Sequence, residues 1–395
     1  MGSSASVENE NDEGTLSQAQ NAINRPEQIA VTCQLCNVDP TINWRCFTCN
    51  KLLCDTCKDR RHAKINDSES HFMINIKDVG KDVTLRPKKH YTTSLQNIEN
   101  LCSCSDGSLW CSSNNDQIQR VVPNGDDFTL QSMFKTTHSI GHSPFGIEYL
   151  TMAVLTSNDV LLNTRLSYNI SSPHPLLKFD AQTNRLSQSV YRADPSFPNY
   201  LHVTREGKVM LYGYRWISRW CKVTILDGRG KTEKEFKLYK KDKRNPIFPR
   251  GITSTLNGFI HVLDEYQYTD GFSKVRIVVL SEKGESVNIY EHEHFVSGGI
   301  VTTPQDNVVV LDRNSGKLHI TNSVGYPVSV CDTKDIVIIM PCTFTVSPNG
   351  SLWIGCNIER DINEGRDSPY SMLYQVTLEG CCQKRFCILY CSNYS

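Results

Sequence analysis

The sequence predicts a mainly β chain in which a small two-zinc finger is followed by a six-bladed β-propeller. Three observations carry that prediction. Eight Cys and His residues are packed into positions 33–71, short apolar strands and tight polar turns recur six times from about residue 92, and helical periodicity is lacking throughout that long second part.

The metal-binding run reads Cys33-x2-Cys36-x9-Cys46-x2-Cys49-x4-Cys54-x2-Cys57-x4-His62-x8-His71. Each Cys-x2-Cys pair turns two thiolates to one side of the chain, and two such pairs complete a tetrahedron around zinc. Eight soft ligands suffice for two Zn2+ ions with no open coordination position, so the ions are expected to be structural. A module this short buries too little apolar surface to fold alone, and the metal must supply the difference. Spacing leaves the pairing of ligands open between a sequential and an interleaved scheme. Trp44, just before Cys46, is expected to pack between the two metal lobes.

The chain has 395 residues, with 42 basic and 42 acidic side chains, 39% hydrophobic residues and 17 cysteines. No apolar run approaches the length of a membrane span. Zero net charge provides no global attraction to nucleic acid or to an acidic membrane, so any such contact needs a local patch. No secretory leader is seen, which predicts reduced cysteines and a cytoplasmic location. Residues 1–28 are polar and nearly free of large apolar side chains, the composition of a disordered tail. Gly2 and Ser6 fit an N-myristoylation pattern, although the acids that follow oppose an anionic leaflet.

In the second part, six polar turns align: Asp106-Gly107, Asn158-Asp159, Glu206-Gly207, Asn257-Gly258, Asp306-Asn307 and Asn349-Gly350. Their second residues are separated by 52, 48, 51, 49 and 43 positions, the size of a propeller blade. An apolar strand follows each turn, as in Leu109-Trp110 and Leu352-Trp353, and a third strand follows a variable loop, as in Val223–Leu226. Either the stretch Val83–Tyr91 or the run Gln383–Tyr390 could supply the strand that closes the ring. The resulting division is a tail over 1–28, a finger over 29–76, a linker over 77–91 and a propeller over 92–395.

The run "CQLC…WRCFTC…CDTC…H…H" resembles a B-box zinc finger of tripartite-motif (TRIM) proteins, and "SLWCSSNNDQIQRVVPNG" resembles the NHL repeats found in the same family. The resemblance implies that Cys33, Cys36, Cys54 and Cys57 share one zinc while Cys46, Cys49, His62 and His71 share the other. It also implies an NHL-like propeller that binds protein or RNA. The family's RING finger and coiled coil have no counterpart here: positions 1–32 hold no Cys or His, and Asn75 to Ser94 shows no heptad pattern. Ubiquitin-ligase activity therefore lacks its usual structural basis in this sequence.

No linear catalytic motif is present, which leads to the expectation of a protein that is not an enzyme. The expected function is that of a zinc-binding adaptor whose propeller face captures a protein partner. The first alternative is an RNA-binding regulator. Lys240, Lys241, Lys243 and Arg244, interleaved with aromatic residues, suit a backbone-and-stacking contact with single-stranded RNA. Trp216 and Trp220 could line the same face or anchor a protein ligand. The second alternative is a ubiquitin ligase or a RING-less ligase subunit.

Overall fold

A computed structural model of the chain describes residues 32–46, 51–64, 73–75 and 83–379, apart from the segments 114–116, 126, 136–148, 165–173, 195–198, 216–219, 239–246, 268–272, 294 and 358–370. The chain divides into two compact units, residues 1–79 and 80–395.

In the first unit β1 (Trp44–Cys46) is the central strand of a three-stranded antiparallel sheet, flanked by β2 (Lys51–Leu53) and β3 (Met73–Asn75). One short helix, α1 (Asp55–Arg60), follows β2. The core of this unit is Leu53 and the cysteines Cys33, Cys46, Cys54 and Cys57, with Trp44 and Ile42 against them. Trp44 donates its indole N–H to Asp55 (2.6 Å), and the Lys58 ammonium lies over its ring at 3.9 Å. So small an apolar core agrees with a fold that needs further cross-links.

The second unit is a six-bladed propeller. Among the described residues it comprises six four-stranded antiparallel sheets. The innermost strands are β5 (Asn100–Ser103), β9 (Tyr149–Val154), β13 (Asn199–Val203), β17 (Ile247–Ser254), β21 (Ser297–Thr302) and β25 (Pro341–Val346). Each neighbours the next around a closed ring, from β5 through β25 and back to β5. Five blades take their four strands consecutively. The sixth combines β25, β26 (Leu352–Cys356) and β27 (Met372–Glu379) with β4 (Thr84–Thr92) as its outer strand. Of the two segments that could close the ring, the one before the first blade does so, within the stretch expected to be a linker. Gln383–Tyr390 lies outside the described residues.

All six aligned turns join the innermost strand of a blade to its second strand, each through five residues, as in 104–108 and 347–351. The bonds Cys104 N–H to Ser108 O (2.8 Å) and Gly107 N–H to Cys104 O (3.2 Å) recur in every copy, and the turn needs a left-handed residue at its fourth position. Gly107, Gly207, Gly258 and Gly350 fill it, and so do Asn158 (φ 64°) and Asp306 (φ 65°). The structural anchors of blades two and five are thus one residue earlier than the sequence alignment placed them. Blade two, which lacks a closing Gly, uses Asn184 at φ 54° in its outer turn. Short polar side chains tolerate this region best after glycine.

The core sits between blades as well as within them. Trp110 is fully buried and meets Phe179 of the next blade edge-on at 5.1 Å. Across the closure, Trp353 packs at 5.8 Å from Tyr91 and 5.9 Å from Phe128. Such pairs add about 0.5–1.5 kcal/mol each beyond their buried area. Between blades three and four, buried Tyr212 donates its hydroxyl to Asp264, which also accepts from Arg276 at 3.0 and 3.1 Å.

Candidate metal centre and channel mouth

The thiols of Cys33, Cys36, Cys54 and Cys57 all lie within 4.8 Å of one another. Local backbone chemistry explains why. Asn37, at φ 55°, turns the chain after Cys36, and its N–H bonds the Cys33 carbonyl at 2.7 Å. Gln34 then ties this knuckle to β2 twice, through its N–H to the Leu52 carbonyl (2.9 Å) and through its side-chain oxygen, which accepts from the Leu52 N–H (2.8 Å). Because Cys54 and Cys57 open α1 directly after β2, the two knuckles meet. Arg61 closes the far side by donating to the Leu35 carbonyl at 2.6 Å. The first and third Cys-x2-Cys pairs are therefore together, as in the interleaved scheme.

Burial pushes the Cys33 thiol up, but hydrogen bonds from the backbone at Cys54, Leu35 and Cys36 more than offset it and bring it down to about 6. Cys57 is pushed up to about 12 by burial and by the neighbouring thiols. Four thiols that cannot all ionise beside one another fit a site completed by a cation, since a metal deprotonates a coordinating thiol outright. This cluster of four cysteines could hold one metal ion. Of the other four expected ligands, Cys46 and His62 are buried in the same unit, while Cys49 and His71 lie outside the described residues.

The propeller has two unlike ends. At one, every turn is short and regular. At the other lie the connections between blades, of which 93–99 and 333–340 are among the described residues. A central cavity of about 550 Å³ is lined by the innermost strands of all six blades. Its wall is tied by side-chain bonds: Thr253 to Thr302 (2.8 Å), Ser103 to the Val346 carbonyl (2.7 Å) and His202 to the Ser254 hydroxyl (2.9 Å). Burial pushes His202 down to about 4, so it is neutral at physiological pH.

Toward the loop end, the pairing of the innermost strand shifts in blades four, five and six. Arg250, Gly298-Gly299 and Cys342 fall at these irregularities, and all four line the cavity. Bulges of this kind re-aim side chains at rims and next to sites. Arg250 bonds Glu265 at 2.5 Å. Arg313 also lines the cavity, from the turn after β22 (Val308–Asp312).

Of the expected binding residues, Trp220 is half-buried at the start of β15 (Trp220–Leu226), with the Lys237 ammonium 5.3 Å from its ring. Trp216, Lys240, Lys241, Lys243 and Arg244 lie outside the described residues, as does Gly2. Sequence reading missed Arg313 and the exposed side chains Val337, Ile339 and Met340. An unbroken run such as Ile336–Met340 reads as a buried strand, and nothing in its spacing signals exposure. Among the described residues no helix is long and apolar enough to cross a membrane.

No protein-family model matches the chain, and no curated protein matches it. Solved structures do. The PQQ-bound aldose sugar dehydrogenase of Streptomyces coelicolor is 11% identical and superposes with a TM-score of 0.51 over 75% of this chain and 99% of its own. The α-L-arabinanase of Penicillium chrysogenum, complexed with arabinobiose, is 12% identical with a TM-score of 0.50 over 75% and 98%. At these identities the shared property is the propeller fold. The expectation of a protein that is not an enzyme is corrected by these neighbours, because both are enzymes built on this ring. The missing linear motif is no argument against catalysis here. A channel lined from six blades can assemble a site from residues far apart in sequence, and fold alone does not decide function.

Proposed function

We propose that this protein is a zinc-stabilised scaffold that captures a protein partner at the loop end of its propeller. The observation that carries this reading is the asymmetry of the ring: the pairing irregularities of blades four, five and six and the exposed Val337, Ile339 and Met340 lie at one channel mouth, while the other end is closed by near-identical short turns. Rigid scaffolds that display variable loops are where binding residues concentrate. In the finger, Cys33, Cys36, Cys54 and Cys57 would hold one Zn2+ in a closed tetrahedral site. Cys46, Cys49, His62 and His71 would hold a second on the family resemblance. Such ions supply folding energy.

The test is affinity isolation of the intact protein from its own cells with and without RNase, alongside a variant altered at the loop end and one altered at the short-turn end. Proteins retained after RNase and lost only from the loop-end variant are the expected result. RNA that dominates the yield and disappears on RNase treatment would replace this reading with the RNA-binding one, and Lys240, Lys241, Lys243 and Arg244 would then be the residues to substitute.

A further inference from the structure

The connection from β24 (Pro327–Asp332) to β25 has an unusual construction. Val337 is 76% exposed, Ile339 63% and Met340 45%, whereas Ile338 between them is fully buried. Val337 (φ 62°) and Met340 (φ 53°) are both in the left-handed region. That conformation costs an L-residue about 1–2 kcal/mol. The connection is nonetheless tightly held. The Ile338 N–H donates to the Thr333 carbonyl at 3.0 Å, the Thr333 hydroxyl donates to the Ile338 carbonyl at 2.9 Å, and the Thr333 N–H donates to the Gly316 carbonyl at 3.0 Å. Strain maintained by surrounding bonds is typical of ligand clamps, and a rigid apolar display loses little entropy when it is covered.

The bond to Gly316 places this connection against the turn that carries Arg313. Two acids of this blade, Asp312 and Asp332, bind neutral donors. Asp312 accepts from the backbone N–H groups of Val296 and Asn314 and from the Ser315 hydroxyl, and Asp332 accepts from the Lys334 N–H. Among the described residues no carboxylate lies within ion-pair distance of the Arg313 guanidinium.

We infer that this quarter of the channel mouth docks a protein segment that sets a carboxylate beside an apolar side chain, with Arg313 taking the carboxylate and Ile339 and Met340 the apolar group. The inference rests on the partner-capture reading and specifies its site and its ligand chemistry. A free small anion would use Arg313 but leave the apolar display uncovered. A nucleic acid would be drawn to Arg313 but has no need of exposed isoleucine and methionine. Only a segment with both features matches both halves, and a charge-assisted bond next to an apolar anchor is the composition of an interface hot spot.

The test uses the intact, zinc-loaded chain against a phage-displayed library of random linear peptides, followed by fluorescence-polarisation titration of the selected peptides. Three variants are compared with the parent: Arg313→Ala, Ile339→Ser combined with Met340→Ser, and Lys231→Ala at the opposite end of the ring. Thermal melting shows that each remains folded. The expected result is enrichment of peptides with Asp or Glu adjacent to an aliphatic or aromatic residue. Affinity should fall by about tenfold or more in the first two variants and stay unchanged in the third, and Arg313→Glu should recover binding to a peptide whose acid is replaced by Lys.

Selected peptides without an acid, peptides indifferent to Arg313→Ala, or no enrichment at all would overturn the inference. So would a random single-stranded RNA pool that binds through Arg313 where peptides do not. If a partner isolated from cells survives RNase and still binds both loop-end variants, this site is wrong while the capture reading stands. If nothing is isolated and no peptide is selected, both fall.

Discussion

Protonation of His261 should couple the stability of blade four to pH. The side chain is fully buried on β18 (Ile260–Gln267), and its Nε2 is 2.9 Å from the Ser323 carbonyl, which requires Nε2 to carry the proton and donate. Nδ1 then faces the interior with no hydrogen-bond partner. A second proton would have to go there, and burial pushes the group from 6.5 down to about 4. Because the folded value is depressed, the unfolded chain takes up the proton first as pH falls. The stability His261 contributes is therefore complete above about pH 6.5 and is lost as pH drops toward 4. The slope in that window is about 1.4 kcal/mol per pH unit, so the loss is about 2 kcal/mol at pH 5 and roughly 3 kcal/mol below pH 4.

The perturbation is His261→Gln, whose amide N–H can still reach the Ser323 carbonyl but which does not titrate. Urea denaturation of both proteins at pH 7 and pH 5 measures the difference, and His202, also depressed to about 4, contributes equally to each and cancels. The parent should lose about 2 kcal/mol more than the variant on acidification. An equal loss in both proteins, or an imidazole that titrates near 6.5 by NMR in the folded state, would refute the reasoning.

The buried junction between blades three and four provides a second expectation. Asp264→Ala should cost about 3–5 kcal/mol by removing the carboxylate that Arg276 and the Tyr212 hydroxyl share, while Tyr212→Phe should cost about 1.5–3 kcal/mol, both read by urea denaturation. Two glycines with nearly equal φ should differ. A Cβ at Gly107 meets open space, so Gly107→Ala should cost about 1–2 kcal/mol, whereas a Cβ at Gly230 would collide with the Val190 backbone and Gly230→Ala should cost clearly more by the same measurement. Removal of metal by a chelator should unfold the finger, seen as loss of dispersed amide signals from residues 32–64, while the propeller's thermal transition stays in place. Metal analysis of the intact protein should return two zinc ions, and Cys33→Ser should remove one of them.

Much of the architecture was legible because it is local. The turn at Asp106-Gly107 needs a residue that accepts positive φ, and the strands around it need alternating or continuous apolar residues; both are written within a few positions of each other and repeat with the blade. The one-residue offset at Asn158 and Asp306 arose because Asn and Asp can replace Gly at the left-handed position, so the letters of the turn shift while its geometry does not. The Cys-x2-Cys pairs were legible for the same reason, since each knuckle is a single turn. Arg313 and Met340 were not. Their surroundings are set by segments distant in sequence, and those cannot be seen along a chain.

The sequence by itself determined the class of fold, the size of the blades, their number to within one and the candidate metal-ligating residues, because turns, strands and knuckles are short-range consequences of residue type. Tertiary structure alone decided which knuckles meet, which segment closes the ring and which side chains stand exposed at the channel mouth. Bringing Cys33 to Cys54 depends on the bonds of Gln34 to β2, and pairing Thr84–Thr92 with Met372–Glu379 joins residues nearly 300 positions apart. Contacts over such separations are selected by the closure of the whole ring and the burial of its interfaces, which no local pattern encodes.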